Sequence, residues 1–250
     1  MSSATTVPAA LATATYATSI AATPERVRAA QRLRHEVFAG ELGATVHGET
    51  GLDVDEFDDR CDHLIIEYLP TQEIVGTYRL LPPGRGEALY SESEFDLSAL
   101  TPLRPSLLEA GRSCVHPDHR TGAVITLMWS ALARYALLSG HRYLAGCASV
   151  PLTDGGAAAS AARQLTEARH LSPPDLRVRP HRPWVPAVPE RRGANQSMLP
   201  PLLRGYLRLG AWVCGPPAHD PEFGVADFFV LLQLNRMDER YLRYFLGNER

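Results

Sequence analysis

Three observations in the sequence predict an α/β fold of the α+β kind. Apolar residues recur at helical spacing in two segments, first Val27, Ala30, Leu33, Val37, Phe38 and Leu42, then Val124, Leu127, Met128, Ala131, Leu132, Tyr135 and Leu138. Short runs rich in β-branched and aromatic residues, at 63–69, 74–81, 143–150 and 225–233, read as strands. Between them the apolar run Ser106 to Val115 passes through His116-Pro117-Asp118-His119 into the second helical segment. No internal repeat and no linker divides the core, so one domain is expected over 13–250. It follows a disordered tail over 1–12 and carries a Pro/Arg-rich insertion around 151–201.

Taken in order, Thr13 to Ala22 alternates loosely and suits a first strand. Thr23 as N-cap, Pro24 at the first helical position and Glu25 in the first turn start the first helix, and Gly43 closes it. Arg34 falls on or beside the apolar face of that helix. Pro70-Thr71-Gln72-Glu73 joins the next two strands as a hairpin, and Arg79 interrupts the second of them. Residues 82–105 form a long loop with a short helical piece around Phe95 to Leu100. Gly140 stops the second helix, Ala157 to Arg169 can be helical, and Leu202 to Leu209 is a short helix ended by Gly210. Ala211 to Cys214 reads as a strand and Asp238 to Leu246 as a final helix.

Composition excludes several function classes. A net charge of -3 gives no general pull toward nucleic acid, and no base-reading fold surrounds the arginines. All 25 basic residues are arginine, which removes Schiff-base chemistry and pyridoxal phosphate anchoring. The four cysteines are far apart and form no CxxC pair, so a reducing cytoplasm is the expected compartment. The N-terminus lacks the basic region and unbroken apolar run of a secretory signal, and no stretch reaches the apolar length of a membrane span. A soluble protein able to touch the inner face of a membrane peripherally is expected.

The charges inside the Ser106–Val115 run carry the chemistry. Burying a charge without a partner is costly, so Glu109 and Arg112 need a reason to be there. An offset of three puts them on opposite faces of a regular strand, and for both to serve one site the strand must bulge, most naturally at Gly111. One reading makes each charge half of a structural ion pair; the other makes Glu109 a general base and Arg112 a substrate-orienting guanidinium. The strand-to-helix junction offers backbone N–H groups to a phosphate or an oxyanion. Glu49, Asp53, Asp55, Glu56, Asp58, Asp59 and Asp62 form an acidic loop that is either a solvated surface or a binding patch for a cation. Arg177, Arg179, His181, Arg182, Arg191 and Arg192 form a basic patch around Trp184, either a solvated loop or a surface for an acidic protein or a phosphate-bearing donor. Cys61, His63, Cys114, His116 and His119 have the residue types of a zinc or Cys–His site, without a common spacing for either.

The stretches AAQRLRHEVFAGELGA, DEFDDRCDHLIIEY, IVGTYRLLPP, LLEAGRSCVHPDHRTGAVITLMWSALARY and LPPLLRGYLRLGAWVCGPPAHDPEFGVADFFVL resemble the GNAT acyltransferase superfamily. More narrowly they resemble the L-ornithine N-alpha-acyltransferases that make lyso-ornithine lipid, which share a fold with acyl-homoserine-lactone synthases. The resemblance covers most of the chain from about Thr23 onward. It implies a mixed, mostly antiparallel central sheet flanked by helices, and an acceptor and acyl-binding site lined by Arg34, Phe38, Asp55, Asp58, Asp62 and Arg79, with Glu109 and Arg112 as catalytic residues. His116, Arg120, Thr121 and Gly122 would meet the donor phosphate, and Arg179 and Arg182 the carrier. The phosphate loop Gln/Arg-x-x-Gly-x-Gly/Ala is met only loosely by Arg120-Thr121-Gly122-Ala123, which agrees better with an acyl carrier protein donor than with coenzyme A. Ala44-Thr45-Val46 stands where the lactone synthases have a tryptophan, which favours an amino-acid acyltransferase.

The chemistry implied is attack of an α-amine, that of ornithine or a related amino acid, on a long-chain and in some cases 3-hydroxylated acyl thioester. No covalent enzyme intermediate, metal or further cofactor is needed beyond acyl carrier protein phosphopantetheine or acyl-coenzyme A as co-substrate. The oxyanion would be met by backbone N–H groups where the central strand splays from its neighbour. Two alternatives stay open: a GNAT enzyme using acyl-coenzyme A on another amine, and a catalytically silent carrier-binding module.

Overall fold

In the computed structural model, which describes residues 10–44, 51–186, 198–237 and 239–246, Thr23 and Pro24 start the first helix as expected. The expected tail lies almost wholly outside the described residues, as do Glu49, Arg191 and Arg192. The strands are β1 Tyr16–Ile20, β2 Asp62–Tyr68, β3 Glu73–Leu81, β4 Phe95–Asp96, β5 Leu107–Val115, β6 Tyr143–Pro151, β7 Arg179–Pro180, β8 Trp212–Val213, β9 Ala218–Asp220 and β10 Val225–Gln233. The helices are α1 Pro24–His35, α2 Gly122–Leu138, α3 Ala157–Arg169, α4 Pro201–Arg208 and α5 Glu239–Leu246. The described residues cluster into two units, 10–85 with 110–142 and 239–246, and 86–109 with 143–237. Strand β5 therefore contributes to both.

In the first unit the strand order is β1-β2-β3-β5. β2 and β3 pair antiparallel with His63 opposite Arg79, and the hairpin turns at Gln72, whose φ of +61° is left-handed. Successive strand residues point to opposite faces. His63 meets Arg34 of α1, whereas its neighbour Asp62 meets Tyr135 of α2, so α1 and α2 cover opposite faces of this sheet. The fully buried Leu64, Ile65 and Ile66 fill the space beneath both helices. Helix α1 does not run unbroken to Leu42. From Glu36 to Glu41 it widens into a π-helical segment, in which the Leu42 N–H donates to the Val37 carbonyl five residues back, and Gly43 ends it at φ +68°. The apolar spacing of the sequence cannot distinguish this wider turn from an α turn.

In the second unit the order is β5-β6-β10-β8, with β9 also on β10. Leu107, Leu108 and Glu109 pair in parallel with Tyr143, Leu144 and Ala145, and β10 runs antiparallel to the whole of β6. Phe95, Leu100, Leu107, Phe229, Leu231 and Cys214 form the core. The short helical piece expected around Phe95 to Leu100 starts later and is of the 3-10 kind. Phe95-Asp96 is instead β4, paired with β7, and 3-10 turns follow over Ser98–Ser106, where Pro102 and Pro105 deny the N–H groups an α-helix needs. The β4–β7 pair ties the Pro/Arg-rich segment down, and the His181 N–H adds a bond to the Glu94 carbonyl.

Gly215 packs closely against the backbone at Val178. It sits at φ +149°, and a Cβ there would lie 2.5 Å from the Val178 carbonyl oxygen, a backbone atom that cannot swing away. Gly215→Ala should lower stability by about 1–3 kcal/mol, read as a drop in thermal midpoint. An unchanged midpoint would show that the 178–215 contact relaxes freely.

Candidate active site

The acidic loop folds onto arginines of its own unit. Arg34, with none of its surface exposed, donates through Nε to Asp53 Oδ2 at 2.7 Å, and through Nη2 to the Asp53 carbonyl and to Asp58 Oδ1 at 2.5 and 2.6 Å. Arg79 donates through Nη1 to Asp55 Oδ1 at 2.6 Å and to Asp58 Oδ2 at 3.0 Å. Gln31 adds an amide bond to Asp58 Oδ1 at 3.1 Å. Burial pushes the Asp58 carboxyl up, but the Arg34 and Arg79 guanidiniums outweigh it and hold the group well below the usual carboxylate range. His63 lies inside the same network, with Nδ1 3.4 Å from Arg34 Nη1 and Nε2 3.2 Å from the Asp58 carbonyl. Burial and then the Arg34 charge push its pKa down, which keeps the ring neutral.

Arg112 completes the array from β5. Its Nη1 is 3.4 Å from Asp53 Oδ1, its Nη2 is 3.8 Å from Asp55 Oδ2, and its Cζ stands 5.8 Å from the centre of the Phe38 ring. The backbone irregularity expected at Gly111 sits one residue on: Arg112 has φ +52°, the left-handed region, while Gly111 does not. A non-glycine residue held there costs about 1–3 kcal/mol, and the ion pairs to two aspartates hold it. Asp53, Asp55 and Asp58 are thus matched by three guanidiniums, and as a group they do not present the free negative patch the loop's composition suggests. Asp62 is set apart. It accepts from Arg85 Nη1 at 2.5 Å and from the Tyr135 hydroxyl at 2.6 Å.

Glu109, in the second unit, is 4% exposed. Its Oε2 accepts the Tyr90 N–H at 2.7 Å and its Oε1 the Ser91 N–H at 2.9 Å, so the opening amides of the 3-10 turn Tyr90–Ser93 clamp the carboxylate. The same turn brings Ser91 Oγ to 3.4 Å from Cys147 Sγ. Next to it Glu94, Asp220 and Asp227 bring carboxylate oxygens within 4.8 Å of one another. Burial first, then the charges of Asp227 and Asp220, push the Glu94 carboxyl up to about 9, and burial raises Asp227 to about 6 despite the Ser149 hydroxyl bond. Sequence reasoning missed this group, because Glu94 lies far along the chain from Asp220 and Asp227, which the β9–β10 pairing brings together.

At the strand-to-helix junction Thr121 caps α2, its Oγ1 accepting the Val124 N–H, and Gly122 is the first helical residue. Arg120 is clasped by Glu41 through two bonds of 2.6 and 2.5 Å, and its Nε donates to the Val115 carbonyl. His116 Nε2 is 3.5 Å from Glu36 Oε1. The π-helical segment thus supplies a carboxylate to two of the four donor-phosphate residues predicted from sequence, His116 and Arg120. Arg179 and Arg182 are exposed, as a carrier surface requires. The residues weighed as metal ligands have other settings: His63 is enclosed by the arginine network, His119 Nδ1 pairs with the Tyr16 hydroxyl at 3.0 Å, and burial pushes the Cys114 thiol up to about 12.

Two stability measurements follow. Arg34→Leu strands Asp53 and Asp58 without their principal partner and should destabilise the protein by about 3–5 kcal/mol in urea unfolding, whereas a loss below ~1 kcal/mol would mean water replaces the guanidinium. Glu94 has a folded pKa raised above its unfolded value near 4.3, so its contribution is present below that value and is lost as pH rises toward 9. The thermal midpoint should therefore fall between about pH 5 and 9, and Glu94→Gln should remove much of that fall.

Comparison with known proteins places the chain in a family. Residues 33–130 match the acetyltransferase (GNAT) domain model. The chain is 37% identical over 249 residues to the L-ornithine N(alpha)-acyltransferase of Rhodobacter capsulatus, covering 92% of this chain and 94% of that protein. It is 35% identical to the enzyme of the same name from Brucella abortus, covering 88% and 84%. Among solved structures, the acyl-homoserine lactone synthase LasI superposes with a TM-score of 0.55 at 13% identity, covering 93% of this chain and 95% of that one. FeeM, an N-acyl amino acid synthase from uncultured soil microbes, gives 0.54 at 14%, covering 92% and 99%. These two likenesses establish the fold. The relatives establish more: the chain belongs to the L-ornithine N(alpha)-acyltransferase family and is an N-acyltransferase.

Proposed function

We propose that this N-acyltransferase moves a long-chain acyl group, with or without a 3-hydroxyl, from acyl carrier protein to the α-amine of ornithine, giving a lyso-ornithine-lipid-type N-acyl amino acid. The near full-length similarity to enzymes named for ornithine carries the acceptor. Two features favour a carrier-protein donor. Glu41 already holds the Arg120 guanidinium that a coenzyme A pyrophosphate would need, and Arg177, Arg179 and Arg182 are exposed on the segment anchored by β7, where an acidic carrier can dock. The product is an amphiphile, so release at the inner face of the membrane fits; among the described residues no helix is long and apolar enough to cross it.

In this mechanism the α-ammonium first gives one proton, through a water, to Glu109, on a lone pair that the Tyr90 and Ser91 amides leave open, and the resulting amine attacks the thioester carbonyl carbon. The amides hold the carboxylate in place so that little reorganisation accompanies the step. Backbone N–H groups of β6 beyond Ala145 stabilise the tetrahedral oxyanion, which collapses to the amide as the second proton of the attacking nitrogen passes to the departing pantetheine sulfur, released as the thiol.

The test is incubation of the purified protein with acyl carrier protein thioester and ornithine, with the N-acyl product read by mass spectrometry. Glu109→Gln should lower kcat by about 100- to 10,000-fold with little change in the KM for ornithine. A variant that keeps its full rate removes Glu109 as the base. Coenzyme A thioesters that outperform the carrier-protein thioester would replace the donor assignment.

A further inference from the structure

The carboxylates of the acidic loop divide into two sets. Asp53, Asp55 and Asp58 are balanced by Arg34, Arg79 and Arg112, and so offer a ligand no net charge. Asp59 and Asp62 remain. Both line a cavity of about 810 Å³ within the first unit, walled on one side by the start of α1 and on another by the 58–63 segment. Asp62 shares its charge with the half-exposed Arg85, while Asp59 is exposed and makes no salt bridge among the described residues. The cavity also holds a cation of the same kind. Arg28 of α1 is exposed and makes no salt bridge among the described residues. Val27, Leu52 and Val54 add apolar wall between these charges.

One accessible guanidinium and one accessible carboxylate fit a ligand with an anionic end, a short methylene chain and a cationic end. We infer that this cavity is the recognition site for the acceptor, a cationic α-amino acid, with Arg28 binding the α-carboxylate and Asp59 binding the side-chain ammonium. The inference rests on the proposed acceptor class and adds where and by which groups it is held. A guanidinium fork matches a carboxylate in two-pronged geometry, and an aspartate matches an ammonium as a charge-assisted acceptor. Acyl transfer changes neither the carboxylate nor the side-chain ammonium. These contacts are therefore equally strong in the ground and transition states, and their loss raises KM without lowering kcat.

Cys61 supplies a reporter, because its half-buried thiol lines the same cavity whereas Cys114 and Cys214 are buried. Saturating ornithine should slow alkylation of Cys61 in the wild-type protein severalfold, measured by peptide mass spectrometry. Asp59→Asn should raise the KM for ornithine about tenfold and narrow the preference for ornithine over norvaline, which has the same skeleton without the terminal amine. Arg28→Gln should raise the KM for both, since both carry the α-carboxylate. Unchanged alkylation of Cys61 at saturating ornithine, or an Asp59→Asn enzyme with wild-type KM and preference, overturns the assignment while leaving ornithine acylation intact. A wild-type protein that acylates carrier-bound chains onto amines other than ornithine overturns the functional reading instead, and this inference with it.

Discussion

A guanidinium sealed from water governs the first unit. Arg34 sits on the apolar side of α1, where a charge without partners would be costly, so the loop after α1 must return to meet it. Asp53 and Asp58 do so, and in doing so they fix the path of the chain into β2. Asp58 then has one oxygen left for Arg79, which β3 holds opposite His63, and Asp53 and Asp55 reach Arg112 on β5. A helix, a loop and three strands are thereby tied through three carboxylates. The array holds Arg112 through Asp53 and Asp55, which Arg34 and Arg79 fix in turn.

How far the sequence displayed this can be judged residue by residue. The bounds of α3 and β10 match those read from apolar periodicity and β-branched content, since both are long elements with strong local signals. Strands of two or three residues, β4, β7 and β9, have no period to detect and exist because a partner lies beside them. Arg34 stood out in sequence because its position on the helix was wrong for a solvated charge, and it proves fully buried. His63 gave no such signal: its identity suggested a ligand, while its role depends on the β2–β3 register, which is not a local property. The positive φ of Arg112 was legible only as a need for some irregularity, and the chain met that need with an ion-paired arginine in place of the neighbouring glycine.

The two carboxylate groups illustrate opposite electrostatic solutions. Around Asp58 the positive charges outnumber what burial takes away, and the carboxyl stays ionised. Around Glu94 and Asp227 the neighbours are themselves acidic, so burial and repulsion act together and favour the protonated form. Beside the second group, Glu109 is held by main-chain amides, partners that carry no titrating charge.

Every cation in these networks, from Arg34 to Arg120, is a guanidinium, in a chain with no lysine at all. Activated acyl groups modify stray primary amines, and a lysine-built version of the same lattice would be open to gradual self-inactivation by its own feedstock. A permanently protonated, delocalised guanidinium is a poor nucleophile under those conditions. The lattice that shapes the enzyme is thus chemically blind to the reagent it handles.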